Sequence, residues 1–170
     1  MSKQIIPVDR IERTILEIQG QKVIIDADLA AIYGTTTKRL NQAVRRNKDR
    51  FPDDFMFQLT EDEKSEVVTN CDHLAKLKYS PHLPYAFTEH GALMAASVLN
   101  TERAIQVSVF VVRVFMRLRE LVATHKELAS KLKELEQRVG AHDKTIIDFM
   151  QTIKQLMEPP ALKPKRRIGF

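Results

Sequence analysis

The chain has 170 residues, 44% of them hydrophobic and 29% charged, with a formal net charge of +5 at pH 7. This length is sufficient for one domain core and an extension. The single cysteine, Cys71, excludes a disulfide within the chain and favours a reducing compartment. Residues 107–116 form the longest apolar run, which is too short to span a bilayer. Since no N-terminal signal is evident either, we expect a soluble, cytoplasmic protein without a membrane partner.

The positive charge is concentrated in two segments. Residues 38–50 contain six basic residues and one acid, and residues 163–170 contain four basic residues and no acid. Together these segments carry +9, so the rest of the chain has a net charge of −4. Such a concentration favours a polyanionic partner.

Residues 26–47 predict two short amphipathic helices separated at Gly34. In each helix the apolar residues recur at the i, i+3, i+4 spacing that buries one face. Gly34 suits the left-handed conformation that ends a helix, and the threonines at 35–37 supply a cap for the next helix. The spacing of Ala30, Gly34 and Leu40 is typical of a helix-turn-helix.

The second of these helices carries a polar, basic face opposite its apolar stripe. Lysine, arginine, asparagine and glutamine hydrogen-bond base edges and phosphates, and an α-helix fits the major groove. The predicted base-reading residues are Lys38, Asn41, Gln42 and Arg45. The predicted phosphate-binding residues are Arg39, Arg46, Lys48 and Arg50. A solvated basic face on an ordinary helix pair is the alternative interpretation.

Short strands flank this helix pair, so the predicted fold class is α+β. Residues 14–25 contain two β-branched runs around a Gln-Gly turn, which predicts a hairpin. Residues 55–59 predict a buried strand, and residues 60–63 have the pattern of a capping box that opens a short helix. Residues 85–87 predict another strand, followed by a helix over 89–99 with Thr88 as its cap.

Residues 69–83 are predicted to form a loop. The loop contains Cys71, His73 and His82, with His90 beyond it, but these residues lack the close spacing of a metal site. The chain also shows no nucleophile–base pair and no phosphate-binding loop. We therefore expect a protein that is not an enzyme and needs no metal or cofactor.

Asn100-Thr101 ends one helix and begins a much longer helix. Over residues 118–156, ten of the twelve a and d heptad positions are apolar, which predicts a coiled coil. The residues expected to form the dimer interface are Leu118, Leu121, Leu128, Leu132, Leu135, Val139, Ile146, Phe149, Ile153 and Leu156.

The charges beside this seam favour a parallel pair of helices. Parallel packing places Lys131 against Glu136, and Arg138 against Asp143, of the partner helix, and both contacts are attractive. A break near Gly140 that folds the helix back into a hairpin is the alternative.

The expected organisation has three parts. Residues 10–103 form the DNA-binding domain, residues 104–157 the coiled coil, and residues 158–170 a disordered basic tail rich in proline. The lysines and arginines of the tail either add non-specific phosphate contacts or keep the protein soluble.

The sequence resembles the phage and bacterial domain family that is named after the N-terminus of phage open reading frame six and is related to the KilA-N and Bro-N families. The resemblance lies in three blocks, LEIQGQKVIIDADLAAIYGTTTKRLNQAVRRN, RFPDDFMFQLT and LPYAFTEHGALMAASVL. It implies a DNA-binding domain of phage-derived regulators and antirepressor-like proteins, without enzymatic activity or cofactor. The matching positions of the helix pair are Leu29, Ala30, Tyr33, Gly34, Lys38, Arg39, Leu40, Asn41, Val44, Arg46 and Asn47.

Two functional hypotheses follow. The first is a DNA-binding regulator of phage or mobile-element origin that binds double-stranded DNA as a homodimer through its coiled coil. The alternative is an antirepressor-like interaction module that captures a repressor protein through the long helix. Phage members often carry a separate globular C-terminal domain where this sequence continues as a coiled coil and tail, which favours the regulator.

Overall fold

The computed structural model describes residues 7–157, which divide into an N-terminal domain that ends at Glu120 and a helical unit that begins at Leu121. The predicted basic tail at 158–170 lies outside the described residues. The residues that the structure describes form six α-helices and four β-strands. In chain order the elements are α1 (Val8–Glu12), β1 (Ile15–Ile18), β2 (Gln21–Ile25), α2 (Asp26–Ile32), α3 (Thr37–Arg46), β3 (Met56–Gln58), α4 (Glu61–Asn70), β4 (Tyr85–Phe87), α5 (Glu89–Leu99) and α6 (Glu102–Met157).

The four strands form one antiparallel sheet in the order β1-β2-β4-β3. The predicted hairpin of β1 and β2 is confirmed. Gln19 and Gly20 in its two-residue turn both have positive φ, 54° and 72°, as the tight turns between twisted antiparallel strands require. The α+β class predicted from the sequence is therefore confirmed.

Side chains that alternate along the strands build a core on each face of the sheet. Ile24 and Phe87 belong to the larger core, which the helices α2, α3, α5 and α6 complete. Val23, Ile25 and Ala86 face the smaller core, to which α4 contributes. The sheet thus separates the core to which the helix pair contributes from the core to which α4 contributes.

Three threonines cap helices as predicted. Thr36, Thr60 and Thr88 each accept a hydrogen bond from the backbone N–H three residues later, at 3.2, 3.3 and 3.4 Å. The capping box is complete because Glu63 accepts in return from the Thr60 N–H at 2.8 Å. Backbone donors at these helix starts are therefore satisfied by local sequence.

Two predicted elements were wrong in extent. The buried strand expected at 55–59 is only Met56–Gln58, half-buried at the edge of the sheet, because it has a single neighbouring strand. The loop expected at 69–83 instead contains the end of α4 and a 3-10 helix over Asp72–Tyr79. Leu74 anchors that helix in the smaller core, a contact that local spacing does not reveal.

The beginning of α6 belongs to the N-terminal domain. Ala104, Val111, Val114 and Phe115 are all buried in the larger core, and Leu118 packs against it. The compact unit continues to Glu120, beyond the domain boundary expected at residue 103. Leu118, which was predicted to lie in the dimer interface, is partly buried against the core of its own domain.

The helical unit is one uninterrupted helix from Leu121 to Met157, so the break expected as an alternative near Gly140 is absent there. A side chain at Gly140 would meet open space. Within the described part of the chain, no helix has the length and apolarity needed to cross a membrane. The other predicted seam residues are all exposed, by 40–81%: Leu121, Leu128, Leu132, Leu135, Val139, Ile146, Phe149, Ile153 and Leu156.

Candidate nucleic-acid interface

Helix α3 is fixed on the domain by its apolar face. Leu40 and Val44 are buried in the larger core, and Thr36 caps the start of the helix. Gly34 adopts φ +69° in the turn that separates α3 from α2, as its position in the sequence predicted. The rotation of α3 about its axis, and hence the direction of its polar face, is therefore set by core packing.

The opposite face of α3 is solvent-exposed and basic. Lys38, Arg39, Gln42, Arg45 and Arg46 are all exposed. At about 100° per residue these five side chains cover an arc of roughly 120°. Such an arc is the part of a helix that meets the floor and walls of a major groove.

Asn41 has a different role from the one predicted. Its Nδ2 donates to Asp26 Oδ2 at 2.9 Å, and its Oδ1 is buried without a partner in the described residues. Bidentate recognition of adenine requires both the carbonyl and the amide group of an asparagine. In this structure Asn41 is therefore held against Asp26, and we expect it to position α3 rather than to read bases.

Asp26 connects α3 to the sheet and to α2. Besides the bond from Asn41, its carboxylate accepts from the Ala27 N–H at 2.8 Å and from the backbone of Tyr85. Burial raises the pKa of Asp26, and these hydrogen bonds oppose part of that rise. The side chain thus joins three elements around the polar face of α3, which explains a carboxylate that is only 4% exposed.

The cations of this surface are not neutralised within the domain. Asp49 is the only acid in the segment 38–50, and no ion pair of the six basic residues is found within residues 7–157. Lys48 and Arg50 lie in a 3-10 turn directly after α3 and are exposed. The surface therefore has uncompensated positive charge that an anionic polymer would neutralise.

A groove of about 580 Å³ runs beside α3, and we call it the α3 groove. One wall consists of α3 and the start of α2, and the other consists of the segment that leads into β4, with Gln58 of β3. All four predicted base-reading residues line it. The lining residues are Asp26, Thr37, Lys38, Asn41, Gln42, Arg45, Gln58, Leu77, Ser80, His82, Leu83, Pro84 and Tyr85.

Sequence reasoning missed two contributors to this surface. Arg103 of α6 is exposed and lies over the turn at Gly34, where an added Cβ would be 2.6 Å from its Cδ and Nε. The segment around Ser80 and His82 forms the far wall of the groove. Both lie far from α3 in sequence, so no local spacing indicates them.

His73 contacts α2, and Cys71 packs against the smaller core. A ring nitrogen of His73 lies 2.9 Å from Asp28 Oδ2, and this contact opposes the rise in the Asp28 pKa that burial causes. Burial also raises the pKa of the Cys71 thiol, so a thiolate is disfavoured. In the described range 7–157 no three histidine, cysteine or acidic side chains cluster as metal ligands would.

Comparison with known proteins gives one match. No curated protein and no solved structure matches the chain, but the model of the ORF6N domain matches residues 13–98, just over half of its length. The matched region begins before β1 and ends within α5, and so includes the sheet, the helix pair and the α3 groove. This chain is a member of the ORF6N domain family.

Proposed function

We propose that this protein is a phage-type regulator that binds double-stranded DNA through α3. The observation that carries the proposal is the exposed arc of α3, where Lys38, Gln42 and Arg45 point away from a buried face and no described acid neutralises the cations. Membership of the ORF6N family supports a phage-type regulatory role. Function then follows from binding rather than from catalysis.

Three cations elsewhere in the domain are paired with acids, unlike those of the arc. Lys22 pairs with Glu17 at 3.0 Å, Arg117 with Glu12 at 3.4 Å, and Arg119 with Glu89. A cluster of like charges without such partners costs electrostatic free energy in the free protein. Binding to a phosphate backbone would recover that cost and release counterions.

The exposed residues divide into two roles. Lys38, Gln42 and Arg45 lie on the side of the arc that lines the α3 groove, so we assign them to base edges. Residues at the margin of the arc or just after the helix are assigned to phosphates, which fix the register of α3 in the major groove. These phosphate-binding residues are Arg39, Arg46, Lys48 and Arg50, to which the structure adds Arg103.

Selection of ligands from a random duplex pool by the full-length protein, repeated across a salt series, tests this proposal. A recovered motif should be bound more weakly by Arg45→Ala, by about 1–3 kcal/mol, because one bidentate base contact is lost. Arg166→Ala removes the same side chain and charge from the basic tail and should leave the motif preference unchanged. Equal losses in the two variants would contradict the role of Arg45 as a base reader.

We further propose that the protein forms a dimer through the exposed seam of the helical unit. Two helices that cover this seam would remove its apolar side chains from water, which is the driving force of coiled-coil association. Leu135→Asp should reduce the molar mass measured by light scattering to that of a monomer. Ile147→Asp is the matched control, because Ile147 is similarly exposed, 54% against 56%, but lies at a b position outside the seam.

The same exposed seam also supports the second candidate function, an antirepressor-like module that captures a repressor protein. The two functions differ in what covers the seam, a second copy of this chain or a repressor helix. A wild-type protein that is monomeric, binds a purified phage repressor and retains no duplex would favour this alternative. A dimer that recovers a DNA motif would contradict it.

A further inference from the structure

The segment that lies opposite α3 across the α3 groove is itself basic. We call residues 76–82 the arm. The arm contains Lys76, Lys78 and His82, and the sequence has no acid between Asp72 and Glu89. Leu77, Ser80 and His82 line the α3 groove, and Lys76, Lys78 and Tyr79 are exposed residues of the same segment outside that lining.

The domain holds the arm in place at several points. Lys64, only 8% exposed, donates from its Nζ to the Ser80 carbonyl at 2.6 Å. Just before the arm, Leu74 is buried in the smaller core, and His73 contacts Asp28 of α2 at 2.9 Å. Because α2 packs beside α3, these contacts fix the arm relative to the proposed recognition helix. The arm is therefore preorganised, and its ordering would cost little on binding.

Tyr79 is the most unusual side chain of the arm. It is 84% exposed, whereas Tyr33 is only 1% exposed and donates its hydroxyl to the Ala92 carbonyl. Tyrosine combines an apolar ring with a polar tip, and its hydroxyl is a frequent donor to phosphates in DNA complexes. Tyr79 stands between two residues that line the groove, Leu77 and Ser80, with Lys78 beside it.

We infer that the arm is a second DNA-contacting element that binds the phosphate backbone beside the major groove entered by α3. Lys76 and Lys78 would neutralise phosphates, and the Tyr79 hydroxyl would donate to a phosphate oxygen. The inference rests on the proposed function of α3 but adds contacts to phosphates, whereas α3 is proposed to contact base edges. Contacts to phosphates carry no base information, so the arm contributes affinity and salt dependence rather than motif preference.

The test measures binding of the full-length protein to the recovered duplex by fluorescence anisotropy across a salt series. Lys76→Ala/Lys78→Ala should weaken binding and lower the slope of log K against log salt by about 2, one lysine contributing about 0.9 per phosphate. The ratio of affinities for the motif and a scrambled duplex should not change. Lys126→Ala/Lys133→Ala is the control, because it removes the same charge from b positions of the helical unit.

The remaining outcomes separate this inference from the proposed function. In one outcome the wild type binds the motif, Arg45→Ala does not, and the arm variant has the same affinity and salt slope as the control. That outcome would overturn the arm inference and leave the proposed function of α3 intact. A wild-type protein that binds no duplex would overturn both. Hydroxyl-radical footprinting provides the spatial readout, since the arm variant should lose only backbone protection that flanks the motif.

Discussion

The two regions of α6 carry the same apolar heptad repeat in very different surroundings. Continued backward from the seam, the a and d positions fall on Ala104, Val107, Val111, Val114 and Leu118. The first, third and fourth of these are buried in the core of the N-terminal domain, and the other two pack against it. From Leu121 onward the same positions are exposed. The repeat therefore specifies that one face of the helix is apolar, but it does not specify what covers that face.

The largest expected effect comes from two phenylalanines of the same helix. Phe115 is 3% exposed and Phe149 is 67% exposed. Phe115→Ala should reduce the free energy of unfolding of the domain by about 3–5 kcal/mol, because it leaves a cavity in the core. Urea unfolding followed by tyrosine fluorescence measures the domain alone, since the three tyrosines are Tyr33, Tyr79 and Tyr85.

Phe149→Ala should leave that unfolding curve unchanged and weaken only self-association, measured by sedimentation equilibrium. A loss of domain stability in Phe149→Ala as large as that in Phe115→Ala would remove the distinction between the two regions.

Two helix glycines should respond to alanine in opposite directions. A Cβ at Gly91 would lie 1.9 Å from the Phe55 carbonyl oxygen, which is held by hydrogen bonds from Thr88. Gly91→Ala should therefore destabilise the domain by about 3 kcal/mol, the upper part of the range for overpacked cores. Gly140→Ala meets open space and should stabilise the helical unit by about 1 kcal/mol.

Thermal melts followed by circular dichroism and by tyrosine fluorescence distinguish the two effects. A stable Gly91→Ala domain would show that the contact of α5 with the Phe55 backbone is not tight.

The smallest expected effect is a difference in pH dependence. Burial raises the pKa of Asp26 above its ordinary value of 3.8, so the folded domain takes up this proton at higher pH than the unfolded chain does. The contribution of Asp26 to the free energy of unfolding therefore increases as the pH falls from neutral through the raised pKa toward 3.8. This contribution is lost as the pH rises. Asp26→Asn abolishes this dependence.

The measurement is the free energy of unfolding of wild type and Asp26→Asn at several pH values. The stability of the wild type relative to the variant should increase on acidification. Glu134→Gln is the control from the exposed helix, where Glu134 makes a solvent-exposed pair with Arg138 at 3.8 Å and little change is expected. If the free energy of unfolding of the wild type decreased relative to that of Asp26→Asn on acidification, the raised pKa would be contradicted.

Features encoded by neighbouring residues were predictable from the sequence. The hairpin turn at Gly20, the left-handed Gly34 and the caps at Thr36, Thr60 and Thr88 each depend on contacts within a few residues. The exposed face of α3 followed in the same way, because Leu40 and Val44 define its buried side.

Features that depend on distant partners were not predictable in this way. Asn41 has the side-chain chemistry and the position of a base reader. Only its hydrogen bond to Asp26, which is distant in sequence, indicates a positioning role. The 3-10 helix that includes the start of the arm needs the buried Leu74, and the packing of Leu118 needs a core assembled from the sheet and α5. Sequence periodicity shows that a face will be covered, whereas tertiary packing selects its neighbour.

The core contribution of α6 also has a consequence for synthesis on the ribosome. The family match ends at residue 98, but the core remains open until Ala104, Val111, Val114 and Phe115 have been added. At about 5–20 residues per second, translation to Leu118 takes roughly 1–4 s longer. During that interval the nascent domain exposes apolar surface that chaperones recognise, and a premature stop codon after residue 103 would leave that surface uncovered permanently.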